Sequence, residues 1–189
     1  MNDERAQVAD FARSLLGRTF TGHGVAVRIS EVEAYGGITD PASHAYRRTE
    51  RSEIMYGEPW RLYVYRSYGL HWCVNIVTGP ASIAGAVLLR AGSVIDGLRL
   101  ARERRGDVPD AQLARGPGNL GHALAITKAD LGVNVCDNKS VHVGPMLSTP
   151  ENIHSGPRVG VSRAADVPWR FWVAGDPNVS AYRRNPRAG

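Results

Sequence analysis

The sequence predicts an α+β fold, a single domain over residues 1–189 with a curved, mostly antiparallel β-sheet and flanking α-helices. Three observations lead there. The chain is 189 residues long, about one domain by length and enough to bury a substantial core. Strand-like runs outnumber helical ones. Turns as short as "YGL" join neighbouring runs, which antiparallel strands permit and parallel strands do not.

Taken in order, residues 6–16 carry Val8, Phe11, Leu15 and Leu16 at helical spacing, with Asn2 or Asp3 as the cap and Gly17 as the stop. Strands are expected at 24–35, 61–66, 70–77, 85–91, 140–143, 158–163 and 170–174. Helices are expected at 94–105, opening near Asp96, at 118–126 after "RGPG", and at 178–184. Between Tyr35 and Arg61 lies a loop longer than ordinary connections, the kind that is functional or disordered. Residues 67–89 are free of charge and long enough to raise a membrane span. Thr, Gly, Pro and Ser interrupt the run, which reads better as strand, turn, strand, so no membrane partner is expected.

The net charge is +5, and of the 23 basic side chains only Lys128 and Lys139 are lysines. Arginine's planar fork suits bidentate phosphate contact, which admits a nucleic-acid partner; GC-rich codon usage is the plainer explanation. Cys73 and Cys136 form no C-x-x-C, and no His/Cys cluster has zinc spacing. The start, "MNDERAQVADF", lacks a signal peptide's apolar core, so a cytoplasmic protein is expected.

The strand at 24–35 holds the oddity. If Val25, Val27 and Ile29 face the core, a period of two carries Glu31, Glu33 and Tyr35 onto that same face. A buried carboxylate costs free energy unless it is paired or hydrogen-bonded. Burial disfavours its charge and a neighbouring cation favours it, the makings of a tuned general base. Arg90, the only charge in the apolar run around "GAVLL", is either a solvated strand end or such a cation. All tyrosines but Tyr182 fall between residues 35 and 68, among them Tyr35, Tyr65 and Tyr68, interleaved with His44, Arg47, Arg48, Arg51, Arg61 and Arg66. Aromatics among arginines can stack a base while holding its phosphates; packing in a strand-rich core is the competing use.

The fragments "EVEAYGG", "DPASHAYRRT", "LYVYRSYGLHWCVNI", "AVLLRAG", "RGPGNLGHALAI", "RVGVSRA" and "RFWVAG" stand in order along nearly the whole chain. In this the sequence resembles the alkyladenine (3-methyladenine) DNA glycosylase family. The resemblance implies one mixed α/β domain that flips a damaged purine out of duplex DNA and hydrolyses its N-glycosidic bond, with no metal and no cofactor. By position it implies Glu33 as the base that deprotonates the attacking water, Arg90 beside that water, and His44 against the flipped nucleotide. Tyr35 and Tyr65 would sandwich the base, Asn75 would crowd a guanine 2-amino group, and Tyr68 would be the wedge that fills the vacated stack. Leu70 stands beside that wedge where some relatives have methionine. Arg66 can reach the backbone from the same hairpin, and Gly118 in "GPGNL" opens a helix whose N–H groups would face a phosphate. Glu31 is expected to be a hydrogen-bonded or rim carboxylate.

The expected partner is double-stranded DNA containing damaged purines, and the expected state is a monomer. Three rivals compete. A catalytically inactive nucleic-acid binder of the same fold need not keep Glu33 and Arg90 together. A nucleoside hydrolase usually uses an Asp-rich calcium site, which this sequence lacks. A sugar hydrolase needs carboxylates that flank a bond instead of lying side by side on one strand.

Overall fold

The computed structural model describes residues 2–189, with side chains described from residue 6 onward. The expected cap at Asn2 or Asp3 therefore lies outside the described side chains. Helix α1 (Asn2–Leu15) leads into β1 (Arg18–Gly22) and β2 (Val25–Tyr35). Then come β3 (Leu62–Ser67), β4 (His71–Val77), β5 (Ala86–Asp96), α2 (Leu98–Arg105) and α3 (Pro117–Ala123). The chain ends with β6 (Val141–Met146), β7 (Ile153–Gly156) and β8 (Arg170–Val173). All eight strands join one sheet in the order β3-β4-β5-β2-β1-β6, with β8 on β2 and β7 on β8, and every pairing is antiparallel.

β2 is the spine of the sheet and changes partners halfway along. Its first half pairs with β1 and its second half, Glu31 to Glu33, pairs with β8, while β5 runs along its other side. At that change the ladder slips twice: Ile29 faces Gly92, Glu31 faces Ala91, and Val32 faces Leu89. The first slip is an extra residue in β2, Ser30, and the second an extra residue in β5, Arg90, and each reverses the face taken by the side chains that follow in its own strand. Val25, Val27 and Ile29 face the core, and beyond the bulge so do Val32 and Ala34. Glu31, Glu33 and Tyr35 are thereby turned to the opposite face, correcting the expectation that they share a face with Val25. The same parity runs through the neighbours. Leu62, Val64, Val74, Ile76, Val87 and Leu89 join the core, whereas Tyr63, Tyr65, Cys73, Asn75, Leu88 and Arg90 line a cavity on the other side.

The core face is covered by helices. Ala12 and Leu15 of α1 with Leu16 just beyond it, Ala101 of α2, and Leu120 and Ala123 of α3 with Leu124 just beyond it are fully buried in it. Pro117 opens α3, where its missing N–H is no loss. The helix approaches β4 so closely that a Cβ on Gly121 would lie 2.1 Å from the Trp72 carbonyl oxygen, and one on Gly118 would lie 2.8 Å from the His71 ring.

Several expected elements differ. β1 was not expected: its "RTFTG" is short and follows directly on the helix stop at Gly17. The expected helix at 94–105 is a strand as far as Asp96 and a helix only from Leu98. Gly97 makes the corner at φ 70°, where a Cβ would meet the Gly24 carbonyl oxygen at 2.1 Å. No strand forms at 158–163; the strand is Ile153–Gly156, and Pro157, which cannot donate to a ladder, ends it. No helix forms at 178–184, because Ser180 gives its N–H to Glu31 and Arg183 gives its carbonyl to Gly160. The long loop after Tyr35 contains two 3-10 turns, His44–Tyr46 and Glu53–Tyr56. Among the described residues no helix is long and apolar enough to cross a membrane.

The contact of α3 with β4 gives a stability prediction. Gly121→Ala forces a methyl into the Trp72 carbonyl and should cost about 1–3 kcal/mol, the usual range for overpacking. Urea unfolding measures it, and an unchanged midpoint would show that α3 can shift freely on the sheet.

Candidate active site

On the face opposite the helices, β2, β3, β4 and β5 form the floor of a cavity of about 580 Å³, within the range of small-ligand sites. Glu33, Tyr35, His44, Tyr65, Asn75 and Arg90 all line it. Tyr68 and Arg66 also reach it from the β3–β4 hairpin.

Glu33 is completely buried, and its oxygens are almost fully engaged. Oε1 accepts the Val159 N–H at 2.7 Å and lies 3.2 Å from Arg90 Nη1. Oε2 accepts the Tyr35 hydroxyl at 2.7 Å. With the Arg90 cation and the Val159 N–H both on Oε1, Oε2 is the oxygen left to take a proton. Burial, the Glu33 charge and the bond to it raise the Tyr35 hydroxyl far above its ordinary pKa, so it stays protonated and remains a donor.

Glu31 is a hydrogen-bonded carboxylate, as one of the two expected readings had it. Its Oε1 receives Arg90 Nε at 2.8 Å, Arg170 Nε at 2.7 Å and the Ser180 hydroxyl at 2.9 Å; its Oε2 receives the Ser180 N–H at 2.7 Å. Burial works against its charge, but the Arg90 and Arg170 charges and the Ser180 bonds outweigh burial and lower its pKa. Arg90 is thus a buried cation held between two carboxylates, not a solvated strand end. Burial would favour losing its proton, but Glu33 and Glu31 raise its pKa further.

Behind Tyr35 lies a second buried pair. Arg158 gives Nη1 to Asp40 Oδ2 at 2.6 Å and Nη2 to Asp40 Oδ1 at 2.9 Å, and Nη1 also reaches the Ala34 carbonyl at 3.0 Å. Asp40 in turn accepts the N–H groups of Gly36 and Ala42, fixing the turn that leads to His44. The 3-10 turn bearing His44 is capped by Ser43, whose side chain accepts the Ala45 N–H.

His44 Nδ1 lies 2.9 Å from the Tyr63 hydroxyl, and Arg51 Nε donates to that same hydroxyl at 3.2 Å. A Tyr63 hydroxyl that accepts from Arg51 and donates to His44 Nδ1 would set the Nε2–H tautomer. Although His44 is open to the cavity, the surrounding walls and the Arg51 charge lower its pKa to about 4. Its ring meets the Tyr65 ring edge-on at 4.7 Å. Asn75 donates to the Tyr63 carbonyl at 3.0 Å, which fixes its amide beneath the cavity.

Every residue expected at the site is therefore at the cavity or its rim except Leu70 and Gly118. Leu70 is 71% exposed beside Tyr68, itself 92% exposed, so that ring is not folded back on the sheet. Tyr68 and Gly69 both have positive φ, which a mirror-image hairpin turn requires. Gly118 lies against His71, one helical residue on from cavity-lining Pro117. The sequence assigns no individual role to Arg158, Asp40, Val159, Arg170, Ser180 or Tyr63, and reads Arg51 only as one of the arginines interleaved with the aromatics. Tyr63 carries a local signal in its alternation with Tyr65. Among the described residues no group of three His, Cys, Asp or Glu side chains is arranged to hold a metal ion.

Comparison with known proteins bears on this site. A family model described as methylpurine-DNA glycosylase matches residues 2–177. The chain is 52% identical over 191 residues to a provisionally named 3-methyladenine DNA glycosylase of Rhodococcus jostii, covering 97% of this chain and 85% of that protein. It is 52% identical to one of Mycobacterium tuberculosis (94% and 90% covered) and 53% identical to one of Mycolicibacterium paratuberculosis (94% and 89% covered), both named in the same way.

The environment of His44 sets a sign for the pH dependence of stability. Its pKa falls from 6.5 to about 4 on folding, so between those values the unfolded chain binds more protons and stability declines as pH falls. His44→Gln should lessen that decline. Urea midpoints at pH 7 and pH 4.5 measure it, and an equal decline in both proteins would contradict the assignment.

Proposed function

The chain belongs to the methylpurine-DNA glycosylase family, and on that premise we propose that it draws an alkylated or deaminated purine out of duplex DNA and hydrolyses its N-glycosidic bond with a water activated by Glu33. The observation that carries this reading is the coordination of Glu33, a buried carboxylate with three fixed partners and Oε2 left to take a proton beside the cavity. Water attacks the anomeric carbon, its proton passes to Oε2, and the bonding electrons leave with the base, giving an abasic site. Duplex stacking hides this bond, so the nucleotide has to be extruded first. Neither lysine lines the cavity, which leaves no lysine amine there for a Schiff-base lyase step, in keeping with a monofunctional enzyme.

The other residues divide the remaining work. Tyr35 and Tyr65 stack on the flipped base, and their faces attract a cationic alkylpurine by roughly 0.5–2 kcal/mol each. Asn75, fixed by its bond to Tyr63, crowds a guanine 2-amino group. His44, neutral with Nε2–H free to donate, holds the extruded nucleotide. Tyr68, with Leu70 beside it, enters the gap in the stack. An exposed ring at a hairpin tip is a poor arrangement for a surface that nothing covers.

Charge at the cavity mouth supports a DNA partner. Three exposed arginines line it, Arg51, Arg66 and Arg163, and none of them has a carboxylate partner among the described residues. Unneutralised guanidinium groups at the mouth suit phosphates. We read the enzyme as a single-domain monomer acting on DNA in the cytoplasm.

The test is single-turnover excision from a duplex carrying one 7-methylguanine or hypoxanthine. Glu33→Gln should lose about 10²–10⁴-fold, the usual value of general-base catalysis, while still binding the lesion duplex. Full activity in that variant would sink the assignment.

A further inference from the structure

Two of the three groups that hold Glu33 depend on one buried side chain outside the catalytic set. Val159, whose N–H donates to Glu33 Oε1, directly follows Arg158. Tyr35, whose hydroxyl donates to Glu33 Oε2, has the Arg158 guanidinium over its ring at 4.8 Å; the Trp169 ring is 5.4 Å from the same carbon. Arg158 is itself immobilised by the two-pronged contact with Asp40 and by the Ala34 carbonyl of β2, the residue between Glu33 and Tyr35. Its side chain is fully buried and that of Asp40 nearly so.

Stability alone is a poor reason for such a pair. Desolvating two charges costs about what their attraction returns, and apolar replacements of similar volume are often neutral or stabilising. The loop after Arg158 has no strand or helix of its own to hold it, and Val159, Gly160, Val161, Ser162 and Arg163 all line the cavity. One end of that wall is tied by the ion pair. Two residues after Arg158, Gly160 gives its N–H to the Arg183 carbonyl and accepts from Asn185, a second tie to the C-terminal segment.

We propose that the Arg158–Asp40 fork is a positioning device for the excision reaction, holding the Tyr35 hydroxyl and the Val159 N–H on Glu33 so that Oε2 is left to take the proton from water. It rests on the proposed reaction and adds to it a pair of residues that touch neither base nor water. The same fork sets the turn that carries His44, through the Asp40 bonds to Gly36 and Ala42. One ion pair thereby registers the two sides of the cavity to each other.

The deciding variant is the double replacement Arg158→Met with Asp40→Asn, which removes both charges at nearly constant volume. Thermal unfolding and the affinity for a duplex containing an abasic-site analogue should stay close to wild type. The single-turnover rate should fall roughly 10–100-fold, the cost of a small misplacement at a reacting centre. A double variant with the wild-type rate overturns the proposal, since a pair that served only stability would be replaceable. If that variant does not fold, Arg158→Lys, which keeps the charge but not the planar fork, decides by the same readouts of rate and affinity. A wild-type protein that excises no lesion overturns the underlying reaction; an active wild type matched by an equally active variant overturns the fork alone.

Discussion

The structure is organised around one constraint: the Arg90 charge is buried, and two carboxylates from a single strand must neutralise it. Glu31 and Glu33 lie on the same face of β2, and Arg90 reaches both from the neighbouring β5. Arg170 of β8 adds a second cation at Glu31. Asp40 and Arg158 add one more charge of each sign, so three buried carboxylates meet three buried arginines. β2 supplies two of these six charges and four other segments supply one each, and leaving any one of them unpaired in the interior would be costly.

Much of the local geometry follows from that arrangement. The double slip in the β2–β5 ladder turns the carboxylates away from the helices and toward the cavity. Ser30 sits at the slip, buried, with a hydroxyl that finds no partner among the described residues, a small cost tolerated there. The exchange of β1 for β8 along β2 brings Arg170 to Glu31. The C-terminal segment runs irregularly because its Ser180 N–H and hydroxyl are taken by Glu31, and the Arg170 guanidinium also holds the Ser180 carbonyl. A buried ionic network of this size is weak evidence for stability, whereas fixing a single carboxylate geometry is what general-base chemistry requires.

Some of this was legible in the sequence. Glutamates at alternate positions in an apolar strand announce an inward polar site, and "EVEAY" did so; "YGL" announced the hairpin tip. The face those glutamates take was not legible, since the bulge comes from a change of strand partners far along the chain and leaves no local mark. "RVGV" alternates like a strand, but Pro157 ends the ladder before it and Gly160 turns it at φ 71°. Arg158 and Asp40 are 118 residues apart, so no spacing could join them. The tail read as a helix because its pattern cannot reveal that its N–H groups are committed to a carboxylate on another strand.

The proposed reaction has Glu31 act on catalysis only through Arg90 and Glu33. A double-mutant cycle tests it most directly, using single-turnover excision by wild type, Glu31→Gln, Glu33→Gln and the double variant. The account predicts that Glu31→Gln slows excision in the wild-type background and has almost no further effect once Glu33 is glutamine. Equal factors in both backgrounds, which would make the two carboxylates independent, would contradict it.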